Sequence, residues 1–263
     1  MTTHPPPIET GRGGAGRRVR STTVAGVLIA GAFVPSPPLL VPELNGLAVA
    51  ETDALRRAVL DVARELAAVP EWLVVGTGDV AVEVPPTARG TFRGYGADVP
   101  VALGPGARGE PDPDLPLAAL VAGWLRDRVA PETLVDVHIL AEDADPATCA
   151  KLGRLVRERL DADSVPRALL VVADGPATLT DKAPGAFDPR SGNVDSELAT
   201  ALASGDPDGL AALDPALCAE VRLAGRAAWQ VFAAAFTRAP ASAAVTYAEA
   251  PYGVGYYTGL WRP

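Results

Sequence analysis

Histidine, cysteine and lysine are nearly missing from this chain of 263 residues. The two cysteines, Cys149 and Cys218, form no CxxC pair and join no Cys/His cluster. A zinc site of the usual spacing is therefore excluded. The pair reads as two free buried thiols in a reducing cytoplasm. No apolar run reaches the length of about 18 residues that a spanning helix needs. Basic charge is short as well, with 23 Lys and Arg against 32 Asp and Glu and a net charge of -9. A generic nucleic-acid binder carries a basic face, so neither nucleic acid nor a membrane is an expected partner. The chain also lacks a GxxxxGK[ST] phosphate loop and a GxSxG nucleophile elbow.

What remains is ordinary globular composition, 48% hydrophobic and 21% charged, in a length that suits one α/β domain. The preference for arginine over lysine, with abundant Ala, Gly and Pro, fits a GC-rich coding sequence. Residues 1–23 are rich in Pro, Gly, Arg and Thr and are expected to be a disordered extension, with the domain spanning 24–263. The apolar run 24–34 follows Arg17, Arg18 and Arg20 and imitates a secretory signal. It ends in Pro35-Ser36-Pro37-Pro38 rather than at a small-residue cleavage site, and it also reads as a buried first strand. A cytoplasmic location is the expectation.

Hydrophobic periodicity then alternates. Strands are expected at 25–34, 72–76, 99–103, 134–140 and 168–173, with a closing pair at 243–248 and 253–260. Helices are expected at 51–68, 116–129, from Pro146 behind an Asp145 cap, at 194–204, and from Pro215 behind an Asp214 cap to about 236. The stretches 77–98 and 174–193 read as irregular loops. The fold class that follows is α/β, a layered helix/sheet/helix single domain with a mixed, mostly parallel central sheet. The last two strands are expected to pair antiparallel around a turn at 250–252.

One glycine motif is a decoy. Gly76-Thr77-Gly78-Asp79-Val80-Ala81 fits the dinucleotide fingerprint GxGxxA. That chemistry needs a helix directly afterwards, whose N-terminus holds the pyrophosphate. Here 80–84 alternates like a strand and meets Pro85-Pro86, which leaves no room for one. In α/β sheets ligands collect beyond the C-terminal ends of the strands. Polar groups wait there in Ser36, Thr77, Asp79, Asp174 and Glu249, so a small-molecule pocket among them is expected. The same residues could instead only cap helices and satisfy turns.

Two strings carry a family resemblance. Ala32-Phe33-Val34-Pro35-Ser36-Pro37-Pro38-Leu39-Leu40-Val41-Pro42-Glu43 resembles the opening of class III extradiol ring-cleavage dioxygenases of the catalytic B-subunit-like superfamily, where the pattern is Pro-His-Pro-Pro. Tyr247-Ala248-Glu249-Ala250-Pro251-Tyr252-Gly253-Val254-Gly255-Tyr256 resembles that superfamily's closing Glu-x-Pro-Phe-Gly-Val-Gly-Tyr. The stretches 183–190 and 205–215 are similar more weakly, and the likeness runs over 27–261, with Val27 as an alternative start. The resemblance implies Fe(II) held by two histidines and a glutamate, a further histidine as acid/base, and often a homodimer. Carried over by position, the first ligand histidine is Ser36, the second falls near Gly78 or Asp79, the acid/base histidine falls near Ala177, and only Glu249 is kept as the metal ligand.

Counting makes the loss firm. The chain holds His4, in the expected disordered tail, and His138, inside an expected strand where a structural role is the plainer reading. One structured histidine cannot supply a two-histidine triad, nor the proton shuttle for ring opening. The expectation is a family member without the iron site that binds a small molecule or a partner. The alternative is an active enzyme. It would be either a carboxylate-based hydrolase or lyase around Ser36, Asp79, Asp174 and Glu249, or a dioxygenase with a non-standard metal site. An all-oxygen site from Asp79, Asp174 and Glu249 would suit Mg²⁺ or Mn²⁺ better than an oxygenase iron.

Overall fold

The computed structural model describes residues 1–2, 28–46, 50 and 52–263. The expected tail at 1–23, the beginning of the first strand at 25–27 and the alternative start at Val27 lie outside the described residues, apart from Met1 and Thr2. Strands β1 (Leu28–Val34), β2 (Glu71–Gly78), β6 (Leu134–Ala141) and β7 (Arg167–Val172) run parallel at the centre of a seven-stranded sheet. Its order is β3-β6-β2-β7-β1-β9-β8, with β3 (Val82–Val84), β9 (Tyr256–Arg262) and β8 (Ser242–Glu249) antiparallel at the edges. The α/β class and the mixed, mostly parallel sheet are as the periodicity implies.

The central strands carry apolar groups on both faces because helices cover both. Successive side chains in a strand point to opposite faces. In β2, Trp72 and Val74 enter one core while Leu73 and Val75 enter the other. In β7, Leu170 and Val172 share the first core, Leu169 and Val171 the second. The first core is closed by α1 (Asp53–Glu65) and α2 (Leu117–Val129). Leu55, Val59 and Val62 recur at helical spacing on the buried side of α1. The second is closed by α3 (Pro146–Leu160), α4 (Ser191–Ser204), α5 (Pro207–Ala211), α6 (Pro215–Glu220) and α7 (Arg226–Ala235). Among the described residues no helix is long and apolar enough to cross a membrane.

Local chemistry sets the helix starts. The Asp145 carboxylate accepts from the Thr148 N–H at 2.9 Å, and Pro146 opens α3. The Asp214 carboxylate does the same for Leu217 at 2.7 Å ahead of Pro215. Each satisfies an otherwise unpaired first-turn N–H.

Three expectations need correction. The strand near 99–103 is outside the main sheet: β5 (Pro100–Ala102) pairs with β4 (Arg89–Thr91) in a separate two-stranded sheet. The stretch 77–98 is largely structured, holding β3, β4 and a short 3₁₀ turn at Phe92–Tyr95. The single helix expected from Pro215 to 236 is two helices, α6 and α7, broken between Val221 and Gly225. Arg222 takes a left-handed backbone there, with φ of 52°. Its N–H donates to Ala219 and that of Leu223 to Cys218, the paired bonds of a Schellman helix stop. The stop escaped sequence reading because glycine, its usual marker, is replaced by arginine.

Candidate functional site

The Pro35-Ser36-Pro37-Pro38 run leaves β1 with one backbone donor, the N–H of Ser36, since proline has none. That donor is aimed at Asp174, just past the end of the neighbouring strand β7. Ser36 N donates to Asp174 Oδ1 at 2.7 Å and Ser36 Oγ to Asp174 Oδ2 at 2.7 Å, so both carboxylate oxygens are engaged by one residue.

The backbone around Asp174 is equally fixed. The preceding N–H, of Ala173, donates to Val34 O at 3.0 Å. The Asp174 carbonyl accepts from the Trp229 indole at 3.1 Å. The next N–H, of Gly175, donates to Gly255 O at 2.7 Å. Glycine is required at the close approaches: a Cβ on Gly225 would sit 2.5 Å from the Asp174 carbonyl oxygen, and one on Gly175 would sit 2.8 Å from the Tyr257 ring. Removal from water pushes the Asp174 carboxyl up to about 6, against the two Ser36 hydrogen bonds that pull it down.

Ser36 and Asp174 open onto a cavity of about 630 Å³ beyond the C-terminal ends of the parallel strands. Thr77, Gly78 and Asp79 enter it from the end of β2, Glu142 from beyond β6, and Tyr95 from the 3₁₀ turn. This is where open α/β sheets bind ligands, and the volume suits a small molecule. Gly76–Ala81 carries no dinucleotide-binding helix; β3 follows instead, as the alternation at 80–84 indicates.

The expected site residues therefore divide. Ser36, Asp79 and Asp174 line the cavity. Ala177 lines a second cavity beside it and is held by its N–H to Val221 O at 3.1 Å. Glu249 is exposed near the end of the edge strand β8 and lines neither cavity. It lies beside Tyr247, whose phenol is pushed up to about 12 by burial first and by the Glu249 carboxylate second. His138 sits in β6 with Nδ1 at 3.6 Å from Glu83, so its neighbour is a carboxylate of the adjoining strand β3. Of the aromatic residues near the site, Tyr95 lines the cavity, whereas Trp72 and Phe92 are fully buried in the core.

No protein-family model matches the chain, and no curated protein matches its sequence. Among solved structures it is similar to an uncharacterized protein from Escherichia coli K12, with a TM-score of 0.56 and 12% identity over 89% of this chain and 100% of that one. At that identity the likeness is one of fold.

The iron site that the family resemblance implies does not fit these residues. Four carboxylates, Asp79, Asp114, Glu142 and Asp174, line the cavity. Among the described residues, no three His, Cys, Asp or Glu side chains are grouped closely enough to hold a metal ion. His138 and Glu249 lie on β6 and β8, separated by four strands in the sheet order. At about 4.8 Å per strand spacing they are about 24 Å apart, far beyond the reach of one ion.

Asp114, Glu142 and Gly225 escaped sequence reading, and Asp114 gave no signal beyond its place in a polar loop. Glu142 enters the cavity from the turn beyond β6, and Gly225 admits α7 close enough for Trp229 to anchor Asp174. The glycine gave a weak signal, lying next to the helix break. Glu142 gave one only through its position beyond a strand end.

Proposed function

We propose that the chain is a divergent relative of the class III extradiol dioxygenases that has kept the strand-end pocket and lost the iron chemistry, and that it binds a small polar molecule there. The observation that carries the reading is the Ser36–Asp174 pair, fixed in the wall of the cavity at the ends of four parallel strands. Ser36 stands where the resemblance places a ligand histidine, and its hydroxyl and N–H are turned to a carboxylate instead of a metal. The lining acids are hydrogen-bond acceptors, so a ligand that presents hydroxyl or amine donors is the natural occupant.

A second reading, acid/base catalysis by Asp174, is favoured by one observation. A carboxyl near 6 exchanges protons close to neutral pH. Binding and catalysis by this reading use the same pocket.

The test combines metal analysis with ligand screening. Protein purified anaerobically is assayed for iron and for oxygen uptake on a panel of catechols. It is then screened against small polar molecules by thermal shift, alongside Ser36→Ala and Asp174→Asn. The expected result is no stoichiometric iron, no catechol-dependent oxygen uptake, and a ligand-induced shift that both variants weaken. Stoichiometric iron with oxygen uptake would overturn the reading and restore ring-cleavage chemistry. Turnover of a screened ligand that Asp174→Asn abolishes would select the second reading.

A further inference from the structure

Four arginines are buried among the described residues: Arg56, Arg126, Arg167 and Arg226. Three have acidic partners. Arg56 pairs with Asp53, Arg126 with Asp127, and Arg167 with both Glu71 and Asp163. Among the described residues Arg226, 3% exposed, has only neutral ones: Nη1 donates to Gln230 Oε1 at 2.9 Å and Nη2 to the Glu142 carbonyl at 2.9 Å, with the Cys149 sulfur 3.9 Å from Nη1. A buried charge is costly without a counter-ion. In a chain with 32 acidic residues against 23 basic ones, the missing carboxylate is not for want of supply.

Arg226 also lines the second cavity, about 690 Å³ in volume. Arg222 lines it too, is exposed, and makes no ion pair among the described residues. Arg222 is the residue held at φ of 52°, a conformation disfavoured for a long side chain and often kept where function needs it. The two cavities meet at Glu142 and Ala224, which line both. One small molecule can therefore reach from the arginines toward the Ser36–Asp174 pair.

We infer that the second cavity is the anion subsite of the pocket, and that Arg226 and Arg222 together bind the carboxylate of a carboxylate-bearing small molecule. The inference rests on the binding function proposed above and names the class of ligand. A guanidinium is suited to a carboxylate because its planar donors match both oxygens. The exposed rim acids Glu142 and Asp143 face the same cavity and repel a multiply charged anion more than a single carboxylate. The ligand's remaining donors then lie toward Glu142 and Asp174 at the junction.

The test uses benzoate and its neutral counterpart benzamide as probes on the full chain. Arginine Nε–H resonances are followed by ¹H–¹⁵N NMR during each titration and assigned with Arg222→Gln and Arg226→Lys. Benzoate is expected to shift the Arg226 resonance saturably at millimolar concentrations, and benzamide is not. Arg222→Gln, at an exposed position, keeps the fold and is expected to weaken benzoate by about an order of magnitude. Equal response to both probes, no response of Arg226, or undiminished binding in Arg222→Gln would overturn the anion subsite. Those results leave the pocket itself to its own test, since Ser36→Ala and Asp174→Asn report on the other cavity.

Discussion

Asp174 is under two opposed influences, and their balance is measurable. Loss of water around the carboxyl favours the protonated form, and the two Ser36 donors favour the charged one. Desolvation wins, which leaves the group near 6 in the folded protein against 3.8 as its ordinary value. Between those values the folded state holds more protons than the unfolded state, so stability falls as pH rises from about 4 to about 6. From 3.8 to about 6, at about 1.4 kcal/mol per unit, the loss is about 3 kcal/mol at most. Asp174→Asn removes this step. Subtracting its unfolding free energies from those of the parent across this pH range should leave a decline confined to that window, and a flat difference would contradict the assignment. Ser36→Ala removes one of the two donors and so should move the Asp174 carboxyl still higher, read by ¹³C NMR of the side-chain carboxyl. Sequence reading reached Ser36 and Asp174 as candidates because both stand at strand ends. It could not pair them, since their sequence separation of 138 is closed by the adjacency of β1 and β7.

At the scale of elements, the break between α6 and α7 sets much of the site's geometry. It turns the chain so that α7 begins at Arg226, against the Asp174 backbone, with Gly225 in the gap. The apolar positions Leu217, Val221, Ala224 and Ala228 keep helical spacing straight through it, so periodicity alone reads one helix. The caps were legible because Asp145-Pro146 and Asp214-Pro215 act locally. The stop was not, because an arginine occupies the left-handed position that glycine usually marks. Arg222→Gly should relieve that strain and stabilise the fold by about 1 kcal/mol, measured by denaturant unfolding. No change or a loss would mean that the arginine side chain contributes more packing than strain. Gly225→Ala should act in the opposite direction. Its Cβ would meet the Asp174 carbonyl oxygen at 2.5 Å, so a loss of about 1–3 kcal/mol is expected from the same unfolding measurement.

Across the whole molecule, the sheet order decides which of the expected residues can act together. The alternation of strands and helices was enough to give an α/β domain with a mixed, mostly parallel sheet. Periodicity does not encode strand order, and strand order is what separates Glu249 from Asp79 and His138. The chain closes by adding β9 beside β1 and β8 outside it, which carries Glu249 to the edge of the sheet. β6 and β3 lie at the other edge with His138. The strand-end cavity lies over the parallel strands between these edges and draws Ser36, Asp79 and Asp174 together without Glu249. The pocket should therefore be indifferent to Glu249, the one residue at a position where the resemblance implies a metal ligand. Glu249→Gln is expected to leave the thermal shift produced by any screened ligand unchanged, while Asp174→Asn weakens it. Comparable losses in the two variants would show that β8 reaches the ligand and that the pocket extends to the edge of the sheet.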